Sequence, residues 1–170
     1  ENNAKKKQNN DNICENSKKL NYNVNTGFSY NNSLYLIKNS KLMNKNVIKY
    51  VKIDANTLKK KYKLPILLTS TWTLKNKTFL SKIDSCIAIG RFVIFTNGKK
   101  YTKFDMKIKH ELDGYPRLIG EYWKKLPLFF HRGIDCIIPT KNNMCLICKD
   151  YKYIHYPINL IENNSINDIE

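Results

Sequence analysis

The sequence predicts an all-β chain built from short antiparallel meanders, on three observations. Landmarks of different chemistry recur at one spacing. Tyr50 and Asp54 stand 51 residues before Tyr101 and Asp105, Leu64-Pro65 before Tyr115-Pro116, Trp72 before Trp123, and Ile83-Asp84 before Ile134-Asp135. A fixed period of this length marks a repeated supersecondary unit. Short apolar runs are separated by pairs such as Asn31-Asn32, Asn97-Gly98 and Asn142-Asn143, which accept the positive φ angles of tight hairpins. The 11 Tyr and 7 Phe suit half-buried strands.

Residues 1–20 are Asn, Lys and Gln with almost nothing to bury, and read as a disordered basic arm. The folded segment is placed at 21–161, and 162–170 is an acidic, Asn-rich tail expected to fray. Val24 to Phe28 opens the first unit, 59 residues before the second opens at Ile83; the surplus is read as a loop insertion around Asn39 to Asn46. Phe28 to Tyr30 and Leu34 to Ile37 form the first hairpin. Ile87 to Ile89, Phe92 to Phe95 and Tyr101 to Phe104 form the second meander. The continuous run Phe92-Val93-Ile94-Phe95 predicts burial on both faces. The Trp-bearing segment of each unit is read as a fourth strand or a short helix. A third unit begins at Ile134-Asp135, with Met144 to Ile147 as a strand and Tyr151 to His155 read as the echo of Tyr101 to Asp105. Four strands per unit is the pattern of a propeller blade, and the chain supplies two full units and most of a third.

A chain of 170 residues fits one domain. The net charge is +16, and Arg91, Arg117 and Arg132 are the only arginines. Such a charge attracts acidic glycans, anionic lipid or nucleic acid, although the abundance of Lys, Asn, Ile and Tyr also fits AT-rich coding. No glycine-rich phosphate loop, nucleophile motif or metal-ligand cluster is present, so no enzymatic activity is expected.

The Ile-Asp opening, the aromatic hairpin, Tyr101-x-x-Phe104-Asp105, Gly114-Tyr115-Pro116, Tyr122-Trp123 and Leu126-Pro127 together resemble the hemopexin-like repeat. This family includes blood hemopexin, the C-terminal domains of matrix metalloproteinases, and vitronectin. The resemblance covers roughly residues 23–157 and implies a four-bladed β-propeller, of which this sequence holds only part. It also implies a structural calcium or sodium ion in a central channel. The ligands would be backbone carbonyls at the positions matching Asn25, Asp84 and Asp135, since calcium accepts such oxygens. The alternative is that these side chains hydrogen-bond local amides. Cys14 resembles one half of a disulfide clasp between first and last blades. No haem is expected, because His110, His131 and His155 match no haem-bearing linker. A secreted or cell-surface location is expected, with an intracellular structural protein of the same fold as the alternative.

The remaining cysteines read as structural. Cys145 and Cys148 form a C-x-x-C within a strand, where they point to opposite faces; Cys86 and Cys136 read as small core residues. Asp54 and Asp105 are expected to cap corresponding turns. The functional lead is the lysines: Lys49, Lys52, Lys59, Lys60, Lys61, Lys63, Lys99, Lys100, Lys103, Lys107, Lys109, Lys124 and Lys125. If like positions lie around a ring, their charge combines into a polyanion-binding zone. Single-stranded nucleic acid is disfavoured, because Tyr35, Tyr50, Tyr101 and Trp123 look committed to packing and not to base stacking. The sequence therefore reads as a non-enzymatic adhesion or scaffold module that meets a protein partner or an acidic glycan, with an anionic membrane surface as a further partner class. The alternatives are a haem or metal carrier and an accessory domain of a larger enzyme.

Overall fold

The computed structural model describes residues 23–62 and 64–162; residues 1–22 with Cys14, Lys63, and residues 163–170 lie outside the described residues. Three antiparallel sheets follow one another along the chain. The first contains β1 (Thr26–Tyr30), β2 (Ser33–Leu42), β3 (Lys45–Asp54) and β4 (Ile66–Leu67). The second contains β5 (Ser85–Ile89), β6 (Phe92–Asn97), β7 (Lys100–Asp105) and β8 (His110–Glu111), with β9 (Arg117–Leu118) also pairing with β7. The third contains β10 (Cys136–Pro139), β11 (Met144–Lys149) and β12 (Lys152–Pro157). Short helices α1 (Lys77–Ser81), α2 (Ile119–Tyr122) and α3 (Asn159–Glu162) lie between or after them. No described helix is long and apolar enough to cross a membrane.

The hairpins form where the turn chemistry predicts. Asn31 and Asn32 adopt φ of 44° and 55°, and Asn142 and Asn143 adopt 59° and 57°. Both central residues are left-handed, which matches the twist of the flanking strands. The eight surplus residues of the first unit do not make a loop. They lengthen the hairpin: β2 and β3 have 10 residues each, whereas β6 and β7 have 6. The added residues pair across the strands from Lys38↔Lys49 to Leu42↔Lys45, with Lys at both ends and the β-branched Val47 and Ile48 between.

Pairing in the first two sheets keeps one register. Lys49 pairs with Leu67 and Tyr50 with Ile66; 51 residues on, Lys100 pairs with Leu118 and Tyr101 with Arg117. The amides of Trp72 and Trp123 donate to Leu68 and Ile119 at 3.0 and 2.9 Å, so one tight helical turn aims each indole inward. Trp72 stacks on Phe104 at 5.0 Å and packs on Tyr50 at 5.4 Å. Trp123 stacks on Tyr156 at 6.2 Å and meets Tyr101 at 5.5 Å. The third sheet is offset from the expected match by two residues. Cys148 pairs with Tyr153 as Thr96 pairs with Tyr101, so Tyr153 and not Tyr151 corresponds to Tyr101. Pro157, not His155, stands where Asp105 stands.

The second sheet is the middle layer. Val93, Phe95 and Phe104 join Phe28, Tyr35, Ile37, Tyr50 and Trp72 in one core. Ile87, Ile94 and Tyr101 join Trp123, Ile137, Ile147 and Tyr156 in another. Alternate residues of β6 therefore serve opposite cores, which explains its uninterrupted apolar run. The leading strands converge: β1 packs against β5, and β5 against β10.

Candidate polyanion-binding surface

Among the described residues, five acidic side chains accept backbone amides, and this bears on what the lysines have left. At the start of each sheet one side chain performs the same task. The Asn25 amide donates to Ile37 O, that of Asp84 to Thr96 O and that of Asp135 to Cys148 O. Their side-chain oxygens accept the amides of Asn39, Gly98 and Asp150 at 2.8, 2.7 and 2.6 Å. The three predicted positions thus correspond, and their side chains bond local amides.

Asp54 and Asp105 cap corresponding turns. Asp54 Oδ1 accepts the amides of Asn56 and Thr57 and the Thr57 hydroxyl; these bonds hold its carboxyl below the usual carboxylate range. Asp105 Oδ1 accepts the Lys107 amide at 2.8 Å, and its Oδ2 meets Arg91 Nε at 3.1 Å. Glu111, 1% exposed, has no counterpart among the predicted residues. Its Oε2 accepts the amides of Lys75 and Asn76, and its Oε1 the Thr102 hydroxyl. It ties the segment entering the second unit to the middle sheet. Its only sequence signal is an acid at the end of a strand, and its partners are too distant in sequence to suggest it.

The lysines divide between the two ends of the sheets. Lys52, Lys59, Lys60 and Lys61 sit at the end marked by Asp54, and Lys103, Lys107 and Lys109 at the matching end of β7. Lys99 and Lys100 lie at the opposite end, beside the segment leading to Lys124 and Lys125, since Lys99 O accepts the Ile119 amide at 2.9 Å. Lys49 pairs with Lys38, and Lys52 with Tyr35, so Lys49 and Lys52 project from opposite faces of β3. Lys103 is 7% exposed, with its ammonium 4.2 Å from the Phe92 ring centre. Lys124 Nζ donates to Glu121 O at 3.0 Å.

Two ammonium groups share one aromatic floor. Lys52 Nζ stands 5.1 Å from the centre of Tyr35. Lys109 Nζ, from the middle sheet, stands 5.8 Å from the same centre and 5.4 Å from Trp72. Burial and the nearby Lys52 charge push the Lys109 ammonium below its ordinary pKa. Among the described residues, no ion pair involves Lys52, Lys61 or Lys109. Tyr35, Tyr50, Tyr101 and Trp123 are all buried, so none presents a ring for a base to stack on.

Two of the described cysteines are deeply buried. Burial pushes the thiols of Cys86 and Cys145 up to about 12, so both stay protonated at neutral pH and are poor nucleophiles. Cys136 is exposed, contrary to its reading as a core residue. It lies opposite Cys148 on the face of the third sheet turned away from the core. Among the described residues, no group of three or more His, Cys, Asp or Glu is placed to hold a metal. His110 Nδ1 contacts Glu111 O at 2.8 Å and His131 Nε2 contacts Leu126 O at 2.7 Å.

No family model and no curated protein matches the chain. Solved structures do. A hemopexin fold protein, CP4 from cow pea, superposes with a TM-score of 0.64 at 21% identity, over 78% of this chain and 59% of that one. A plant lectin with two metal binding sites from Cicer arietinum gives 0.63 at 21% identity, over 81% and 64%. A plant albumin from Cicer arietinum showing hemagglutination gives 0.54 at 16% identity, over 79% and 86%. The chain spans about three fifths of the length of the first two. Similarity at these identities speaks for the architecture alone: the chain has a hemopexin-like, all-β fold of three antiparallel sheets.

Proposed function

We propose that the chain is a non-enzymatic binding module whose sheets are consecutive blades of a hemopexin-type propeller, and that its lysines engage an acidic glycan. The observation that carries this reading is where the acids go. Asp54, Asp84, Asp105, Asp135 and Glu111 all accept backbone amides, so much of the negative charge serves the fold. The 30 Lys and Arg against 14 Asp and Glu therefore leave a surface charge that an outside polyanion balances. Lectin and hemagglutinating proteins among the similar structures favour a glycan as that polyanion. Lysine in place of arginine suits diffuse, salt-sensitive attraction over bidentate recognition. The test is a heparin column. The protein should be retained at low salt and released as salt rises, well after a neutral control. Co-elution with the control would remove the glycan reading.

The blade reading carries an ion with it. The packing of β1 on β5 and of β5 on β10 supports a reading in which the strand starts at Asn25, Asp84 and Asp135 face one axis, where their carbonyls would hold calcium or sodium. Calcium should then raise Tm and a chelator lower it; a Tm indifferent to both would remove the ion and leave the fold reading intact.

A further inference from the structure

The end of the first two sheets that carries the Asp54 and Asp105 turns is basic, and it is also apolar. Leu58 is 62% exposed, Leu64 77%, Ile108 63% and Tyr62 43%. They alternate in sequence with Lys59, Lys60, Lys61, Lys107 and Lys109. Neither burial nor backbone preference accounts for Leu58. It holds φ of 53°, a conformation that favours Gly or Asn, while its side chain stands in solvent. Lys109, at the corresponding place in the next turn, has φ of 59°.

The two turns stand side by side. The Lys61 amide donates to Lys52 O at 2.8 Å, and Lys52 and Lys109 lie over the same Tyr35 ring. Both turns are held in shape from within: the amides of Leu58 and Lys109 donate to the carbonyls of Asp54 and Asp105 at 2.9 Å. The carboxylates cap the same turns, as described above. The apolar tips are thus presented on ordered turns, ringed by ammonium groups.

We propose that this end is a docking surface for an anionic phospholipid bilayer, with the Leu58 and Ile108 tips entering the headgroup layer and the surrounding lysines meeting lipid phosphates and carboxylates. A lone glycan chain offers anions to the lysines but no hydrocarbon to the tips. A bilayer surface offers both, and apolar insertion together with lysine attraction is how peripheral proteins bind it. The proposal goes beyond the glycan reading but uses the same unbalanced lysine charge, so its test separates the two.

The experiment is co-sedimentation with vesicles of phosphatidylcholine alone and of phosphatidylcholine with phosphatidylserine, run beside heparin elution. The wild-type chain should bind only the serine-containing vesicles. Leu58→Asn combined with Ile108→Ser should weaken vesicle binding by about tenfold and leave heparin elution unchanged. Both residues are exposed, and Asn suits the backbone at 58, so the variant keeps its fold. Lys59→Glu with Lys61→Glu should weaken vesicle binding and shift heparin elution earlier. Heparin retention without vesicle binding would overturn the membrane proposal and leave the glycan reading standing. Vesicle binding indifferent to the Leu58 and Ile108 changes would overturn it too, since charge alone would then suffice. Failure to bind either probe would remove both readings.

Discussion

Replacing Glu111 by Leu should destabilise the fold by about 3–5 kcal/mol, among the largest single-residue effects expected in this chain. The side chain is 1% exposed, so no water takes over when the carboxylate goes. The part-buried amides of Lys75 and Asn76 and the buried Thr102 hydroxyl would lose their acceptor. Each such orphan costs about 1–3 kcal/mol. Glu111→Gln should be much milder, at roughly 1 kcal/mol, because an amide oxygen still receives the two backbone donors and its NH2 still reaches the Thr102 oxygen. Asp113 gives the internal control: it pairs with Lys75 but is 93% exposed on its side chain, and Asp113→Asn should leave the midpoint unchanged. Urea denaturation of the three variants measures the series. Equal midpoints for Glu111→Leu and Asp113→Asn would refute the role assigned to Glu111.

Trp123→Ala should cost a further ~3–5 kcal/mol measured alone, the range for removing a large buried aromatic. The loss is directional. Trp123 joins Tyr101 of the middle sheet to Tyr156 of the third, whereas Trp72 belongs to the core between first and second. Amide exchange in β11 and β12 should accelerate most, and amides of β2 and β3 should keep more of their protection. Trp72 then serves as the sole tryptophan reporter for the surviving core. Uniform acceleration through all three sheets would contradict two separable cores.

Much of this architecture is written locally. The paired Asn residues of the hairpins and the β-branched and aromatic runs act over a few positions, and strands formed where they predicted. Trp72 and Trp123 stood out because each is large and recurs with its Tyr partner at one spacing. What was hidden depends on partners far apart in sequence. Glu111 looks like any strand-end acid until the chain returns at Lys75. Tyr153 takes the place expected of Tyr151 because one extra residue lies between Asp135 and Cys148, which stretches the 51-residue period to 52 at this strand, whereas matching Tyr151 to Tyr101 supposes 50. The exposure of Cys136 reflects which face of the third sheet meets a neighbour, and nothing around it in sequence carries that. Leu58 reads as an ordinary apolar residue; only its backbone angle and its exposure set it apart. The lysines were visible one by one, but their division between two ends required knowing which way each strand runs.

Because the middle sheet lends alternate residues of one strand to each side, a mutation's reach depends on parity. A change at Val93 or Phe95 is felt by the first sheet, and one at Ile94 by the third, although these positions adjoin. Stability in such a stack is close to a sum of neighbouring interfaces, so two halves of the molecule can drift apart in evolution while sharing a single backbone between them.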